Sequence, residues 1–215
     1  AQNTYVPDDK FEQALIDLGY DDTLDDYVLT ANISGVTSLD VQNKEIADLT
    51  GIEDFVALIE LDVRSNFLTS LDVNANTALT ILMCFSNQLT SLDVSKNTAL
   101  TLLWCHDNQL TSLDVSKNTV LNRLNFSENK ITSIDVTNNT ALNELYCWKN
   151  QLTNLDVSKN ITLKELNIYS NQLTSLDVSS NTALTYLHCS ENKLTSLNVS
   201  KNTALTYLHC YNNQL

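Results

Sequence analysis

Few residue types in this 215-residue chain could do chemistry: three histidines, five cysteines and a row of evenly spaced aspartates. His188 and His209 lie 21 residues apart, as do Cys84 and Cys105, and Cys189 and Cys210. Two histidines alone make a weak metal pair, because a zinc site needs at least three protein ligands. His106 precedes Asp107, but adjacent side chains on a strand point to opposite sides, and no nucleophile accompanies them. Asp72, Asp93, Asp114, Asp135, Asp156 and Asp177 recur at the same interval and give way to Asn198, so the row does not require a charge. Like charges some 5 Å apart repel by about 1 kcal/mol in high dielectric. Each aspartate is therefore expected to accept hydrogen bonds from its own turn, with Lys96, Lys117, Lys159 and Lys201 close by, rather than to hold calcium. The acidic run Asp21, Asp22, Asp25 and Asp26 lacks the alternation and terminal Glu of a calcium loop and reads as solvated surface. These residues predict no catalytic centre, no metal site and no cofactor.

Composition removes other functions. The three glycines, Gly19, Gly35 and Gly51, stand sixteen residues apart, which excludes a phosphate-cradling loop. Twenty-six acidic against 12 basic residues give a net charge of −14, contrary to what a nucleic-acid partner requires. Most of that acidity lies in residues 1–60, where 14 acids meet 2 bases; the remainder of the chain is nearly neutral. Nucleic acid stays excluded because the later repeats carry only scattered cations. No apolar run approaches the roughly 20 residues of a membrane helix.

What must position any functional residue is a repeat. Leu61, Leu82, Leu103, Leu124, Leu145, Leu166, Leu187 and Leu208 follow one another at 21 residues, and a looser unit begins at Leu39. With that Leu as position 0, positions 2, 7, 10, 12 and 18 are apolar, and the pairs 0/2 and 10/12 alternate as strands do. Twenty-one residues are too few for two helices. The unit is expected to be one coil of short strands and turns, nine of them stacked with a parallel ladder. Asn fills position 5 from Asn66 to Asn213 and position 15 from Asn76 to Asn202 without exception, which marks two structural amide ladders.

The pattern L-x-C/V-x-x-N-x-L followed by T-x-L-x-V-x-x-N-T-A-L resembles leucine-rich repeats, and its nested half-unit is similar to the short bacterial class called IRREKO repeats. Residues 39–215 carry the likeness. Residues 1–38 resemble the N-terminal cap that precedes such repeats in secreted proteins of Bacteroidetes-type bacteria. The resemblance implies a leucine-rich-repeat solenoid with a parallel β-sheet on its concave face, extended and turn segments on the convex face and a small helical cap. It also implies a binding role outside the cell or at its surface.

Within the cap, DDKFEQALIDLG reads as a helix begun by Asp8 or Asp9, with an inward stripe of Phe11, Ala14, Leu15 and Leu18, ended by Gly19. The chain stops mid-unit at Leu215, and we expect either a piece of a longer protein or self-association through this uncapped end. Cys84, Cys105, Cys147, Cys189 and Cys210 all occupy position 2, where other units have Val63, Phe126 and Ile168, so they are expected to be buried hydrophobes without disulfides. Cys147 has no cysteine neighbour in that column, and parallel Cβ vectors suit the disulfide torsion poorly.

Positions 1, 3 and 20 flank the inward residues and point outward, and these three columns break the repeat. They hold Phe85, Trp104, Tyr146, Trp148, Tyr169, Tyr186, Tyr207 and Tyr211, together with Met83, His106, His188 and His209. Arg64, Arg123, Glu144 and Glu165 interleave with them. Strand propensity alone would also place aromatics at positions 9, 11 and 13, where none occurs. Exposed aromatics gathered on one face mark an interaction surface. The expectation is a non-enzymatic module that recognises a protein partner. A carbohydrate-binding module or a spacer repeat of a surface adhesin are the alternatives.

Overall fold

The computed structural model describes residues 2–215. Near the N-terminus, α1 (Asp9–Asp17) is begun by Asp8, whose Oδ1 accepts from the backbone N–H of Lys10 at 2.9 Å and Phe11 at 3.0 Å. The other oxygen of Asp8 accepts from the amides of Ala47 and Asp48 at 2.8 and 2.9 Å, so one carboxylate both caps the helix and ties it to the first repeat. The helix ends where Gly19 takes φ +81° and the Tyr20 amide reaches back to Leu15 O. Phe11, Ala14 and Leu15 are buried as expected. Leu18 is not: it is 46% exposed, because it sits at the helix C-cap where the stripe has rotated away from the core. The sequence pattern also did not reveal an antiparallel pair, β1 (Asn3–Tyr5) with β2 (Tyr27–Leu29), which runs into the short helix α2 (Thr30–Ile33).

From there the chain coils. Nine strands form one parallel sheet in strict chain order: β3 (Ser38–Asp40), β4 (Glu60–Asp62), β5 (Ile81–Met83), β6 (Leu102–Trp104), β7 (Arg123–Asn125), β8 (Glu144–Tyr146), β9 (Glu165–Asn167), β10 (Tyr186–His188) and β11 (Tyr207–His209). Each strand is three residues long and pairs in the repeat register, Leu82 with Leu103 and Leu103 with Leu124. The central Leu points inward and the two flanking residues outward, which fixes the register because a slip of one would turn the leucines to water. The leucines of positions 0, 7, 10 and 18 and the valines of position 12 stack behind the sheet as one continuous core.

The 10/12 segment does not form a second sheet. Its side chains alternate inward, but only Asp72 and Asp93 bridge there. The backbone after it turns on itself instead: in each unit the amide of the position-15 Asn bonds the carbonyl of the position-12 Val, as Asn97 N does to Val94 O at 3.0 Å. The position-11 aspartates accept from the backbone N–H two residues on, Ser116 to Asp114 at 2.8 Å for example, and Asn198 does the same for Ser200 at 2.9 Å. This is the turn bonding expected of the row, and it holds the carboxyls of Asp93, Asp114, Asp135, Asp156 and Asp177 below their ordinary pKa.

The two Asn columns do different work. At position 5, Asn129 donates through Nδ2 to Phe126 O at 3.0 Å and to Cys105 O of the preceding coil at 3.2 Å, while its Oδ1 accepts from the Leu110 amide at 2.8 Å. At position 15, Asn139 donates to Val115 O and Asn118 O, both at 2.9 Å, and its buried Oδ1 meets no protein donor. Just before the position-5 Asn, every coil from Ser65 to Asn212 places a non-glycine residue in the left-handed region, with φ between 51° and 56°.

Candidate binding face

The strands deliver positions 20 and 1 to the open face of the sheet, and position 3 follows at the strand's end. All sixteen residues singled out on sequence grounds lie in these columns, and each is half-buried or exposed. They do not form one uniform surface. Toward the N-terminal end, Phe85 stacks on His106 with ring centroids 4.2 Å apart and 14° between planes, and Trp104 leans on both at 6.3 and 6.5 Å. The guanidinium of Arg64 covers Phe85 at 5.5 Å. Toward the C-terminal end, Tyr186 and Tyr207 stack at 4.4 Å and 7°, and Tyr207 lies against His209 at 4.3 Å. Tyr169 meets His188 at 5.0 Å, and His188 and His209 both face Tyr211 at 6.0 Å.

Between the clusters the face is charged. Arg123 Nε meets Glu144 Oε1 at 3.1 Å, and the Tyr146 hydroxyl donates to Glu165 Oε2. Lys149 Nζ bonds Glu128 Oε1 at 2.8 Å and stands 5.4 Å from the centre of the Trp148 ring. Burial, then the Glu165 carboxylate, pushes the Tyr146 hydroxyl pKa well up. The Glu191 carboxylate raises that of Tyr169. His106 is pushed down by burial, and His188 by burial and then by His209, so both rings are uncharged at neutral pH.

Lys149, Glu191, Ser127 and Ser190 escaped the sequence reading. Ser127 and Ser190 occupy position 3 between aromatic neighbours and are fully buried by them, each with an unpartnered hydroxyl. Trp104 Nε1, His106 Nδ1 and His188 Nε2 are likewise buried without a protein partner. For Lys149 and Glu191 the signal was present at position 4, which varies among Ser, Asp, Glu, Lys and Asn but looked like ordinary turn filling.

The position-2 cysteines point inward as expected. Cys84, Cys105, Cys147 and Cys189 are fully buried and Cys210 partly so; all five are free. Burial pushes the Cys105 and Cys189 thiols to about 12, so neither is a nucleophile at neutral pH. Among the described residues no three His, Cys, Asp or Glu side chains converge as a metal site. His188 and His209 meet edge to face at 5.1 Å and remain a pair.

This geometry is close to that of a solved structure, the functional domain of InlJ from Listeria monocytogenes, which includes a cysteine ladder. The two chains share 42% identity with a TM-score of 0.93 over 99% of this chain and 48% of that one. The fold is a leucine-rich-repeat solenoid. Its likeness is to bacterial proteins of the internalin type: 75 residues are 42% identical to Internalin J of Listeria monocytogenes serotype 4b (strain F2365), covering 35% of this chain and 8% of that protein. The chain therefore spans about half of the solved InlJ domain and a small part of the whole protein. Internalin C2 of the same species matches at a TM-score of 0.86 over 97% of this leucine-rich-repeat chain and 98% of its own, and at 23% identity shows the shared fold alone. No family model matches the sequence. No helix among the described residues is long and apolar enough to cross a membrane.

Proposed function

We propose that this leucine-rich-repeat chain is a non-enzymatic recognition module that binds a protein partner through its aromatic sheet face, outside the bacterial cell or on its surface. The likeness to internalins supports this reading. Its 21-residue units suit the short IRREKO-like class, and residues 1–38 act as the cap of a repeat domain at 39–215.

One observation carries the choice of partner. Several rings on this face have one side covered by a neighbour: Phe85 stacks on His106 and carries the Arg64 guanidinium at 5.5 Å, Tyr186 stacks on Tyr207, and the Lys149 ammonium stands 5.4 Å from the Trp148 ring. A sugar-binding platform needs a free ring face for the CH groups of the sugar. A protein hot spot uses ring edges, hydroxyls and indole or imidazole N–H groups.

The test is a selection of a displayed random peptide library and a glycan array in parallel, each against the wild-type protein and a Trp104→Ala, Trp148→Ala double variant. We expect peptides to be selected and their binding to fall more than tenfold in the variant. Glycans alone would establish the carbohydrate reading, and no ligand of either class would leave a spacer.

A further inference from the structure

The binding face already shows how it handles positive charge. Its own three cations are committed. Arg64 pairs with Asp62 at 3.3 Å and covers Phe85, Arg123 pairs with Glu144, and Lys149 pairs with Glu128 and stands over Trp148. In two of the three cases a cation sits between a carboxylate and an aromatic ring, the combination that binds an ammonium or guanidinium group. A carboxylate and a ring also meet without an ion-paired cation at two further places, between the clusters at Glu165 and toward the C-terminal end at Glu191. Glu165 accepts from the Tyr146 hydroxyl, and the Glu191 backbone N–H bonds Tyr211 O at 3.0 Å, next to the rings of Tyr169, His188 and Tyr211. Neither carboxylate lies within ion-pair distance of a lysine or arginine among the described residues. Lys149, whose charge reaches Tyr169 and Glu191, is bonded to Glu128.

Resting on the reading of a protein partner, we propose that this partner is a basic polypeptide segment whose lysine or arginine side chains dock against Tyr169 and Tyr211 with Glu191, and against Tyr146 with Glu165. The rings here are tilted, 33° between Tyr169 and His188 and 49° between His188 and Tyr211, so ring faces remain for a cation, unlike the parallel stack of Tyr186 and Tyr207. Two carboxylates without an ion-pair partner on this part of the face favour a cationic segment and raise its association rate at low salt.

Three labelled dodecapeptides test this by fluorescence anisotropy: Lys/Arg alternating with Gly, Glu alternating with Gly, and Ser alternating with Gly. The basic peptide is expected to bind and the other two to bind at least tenfold more weakly. Glu191→Gln and Tyr211→Ala should each weaken the basic peptide about tenfold. Asp26→Asn, which removes the same charge from the cap, should change it less than twofold. Equal binding of the acidic or neutral peptide, no binding of the basic one, or an equal loss in Asp26→Asn and Glu191→Gln would each overturn the proposal. Neutral or acidic sequences selected from the library and lost in the Trp104→Ala, Trp148→Ala variant would overturn the basic partner while leaving the protein-binding role standing. A library that yields nothing would remove both.

Discussion

The position-5 asparagines and the outward columns of the sheet lie a few residues apart in every coil, yet one never varies and the other rarely repeats. An asparagine at position 5 has partners supplied by backbone: two carbonyls and one amide that every coil presents in the same place. Any other side chain would leave that amide unpaired and take one donor from each carbonyl, so the column is uniform. A side chain at position 1 or 3 has neighbours that change from coil to coil, and several of its polar atoms have no partner in the chain at all. Uniformity follows from obligations inside the molecule. Variation is allowed where the obligations lie outside it.

The sharpest way to break this comparison is to remove one member of each class. Asn129→Ala orphans the Leu110 amide, whose acceptor is the Asn129 oxygen, and strips one donor each from Cys105 O and Phe126 O. Urea unfolding should show a loss of about 3 kcal/mol, the cost of a buried donor left unpaired together with two weakened acceptors. Asn139→Ala should cost only about 1 kcal/mol, because Val115 O and Asn118 O keep backbone donors and an unpartnered buried oxygen is removed with the side chain. Trp148→Ala, on the sheet face, should change stability by about 1 kcal/mol or less while changing binding. Equal losses in Asn129→Ala and Trp148→Ala would erase the distinction.

A smaller effect sharpens the frame itself. Ser86 sits at φ +53° immediately before its column asparagine. Ser86→Gly should stabilise by about 0.5–1 kcal/mol and Ser86→Val should destabilise, since a β-branched residue is disfavoured in the left-handed region.

The smallest effect concerns pH. The carboxyls of Asp93, Asp114, Asp135, Asp156 and Asp177 have folded pKa values below the ordinary aspartate value, so ionisation favours the folded state. Their contribution is fully present above the unfolded value of about 3.9 and is lost as pH falls through the lower folded values. Stability should be flat from this source between pH 5 and 8 and decline below about pH 4. Asp114→Asn, which copies the natural Asn198, should keep the turn bond and flatten that decline, as followed by thermal melts across the acid range.

Much of this architecture was legible before the structure. A 21-residue period with leucines in fixed places predicts nine stacked coils and a parallel ladder, and nine paired strands are present. Inward cysteines and turn-bonded aspartates were also readable, because register alone decides them. The second strand was not there, since alternation at positions 10 and 12 reports which side chains are buried and says nothing about where the backbone amides go. The β1–β2 pair was invisible because NTY and YVL are too short to carry a period. On the binding face, the columns were legible as exceptions to the repeat. Ring-on-ring stacking, the cations over Phe85 and Trp148 and the covered Ser127 and Ser190 depend on rotamers and on neighbours 21 residues away, which no local pattern encodes.

The most direct measurement is the affinity of a library-selected peptide for three proteins: wild type, Trp148→Ala on the sheet face and Lys117→Ala on an exposed turn behind it. Sheet-face recognition predicts a loss of at least tenfold for Trp148→Ala and less than twofold for Lys117→Ala. An unchanged affinity in Trp148→Ala, or a larger loss in Lys117→Ala, would contradict it.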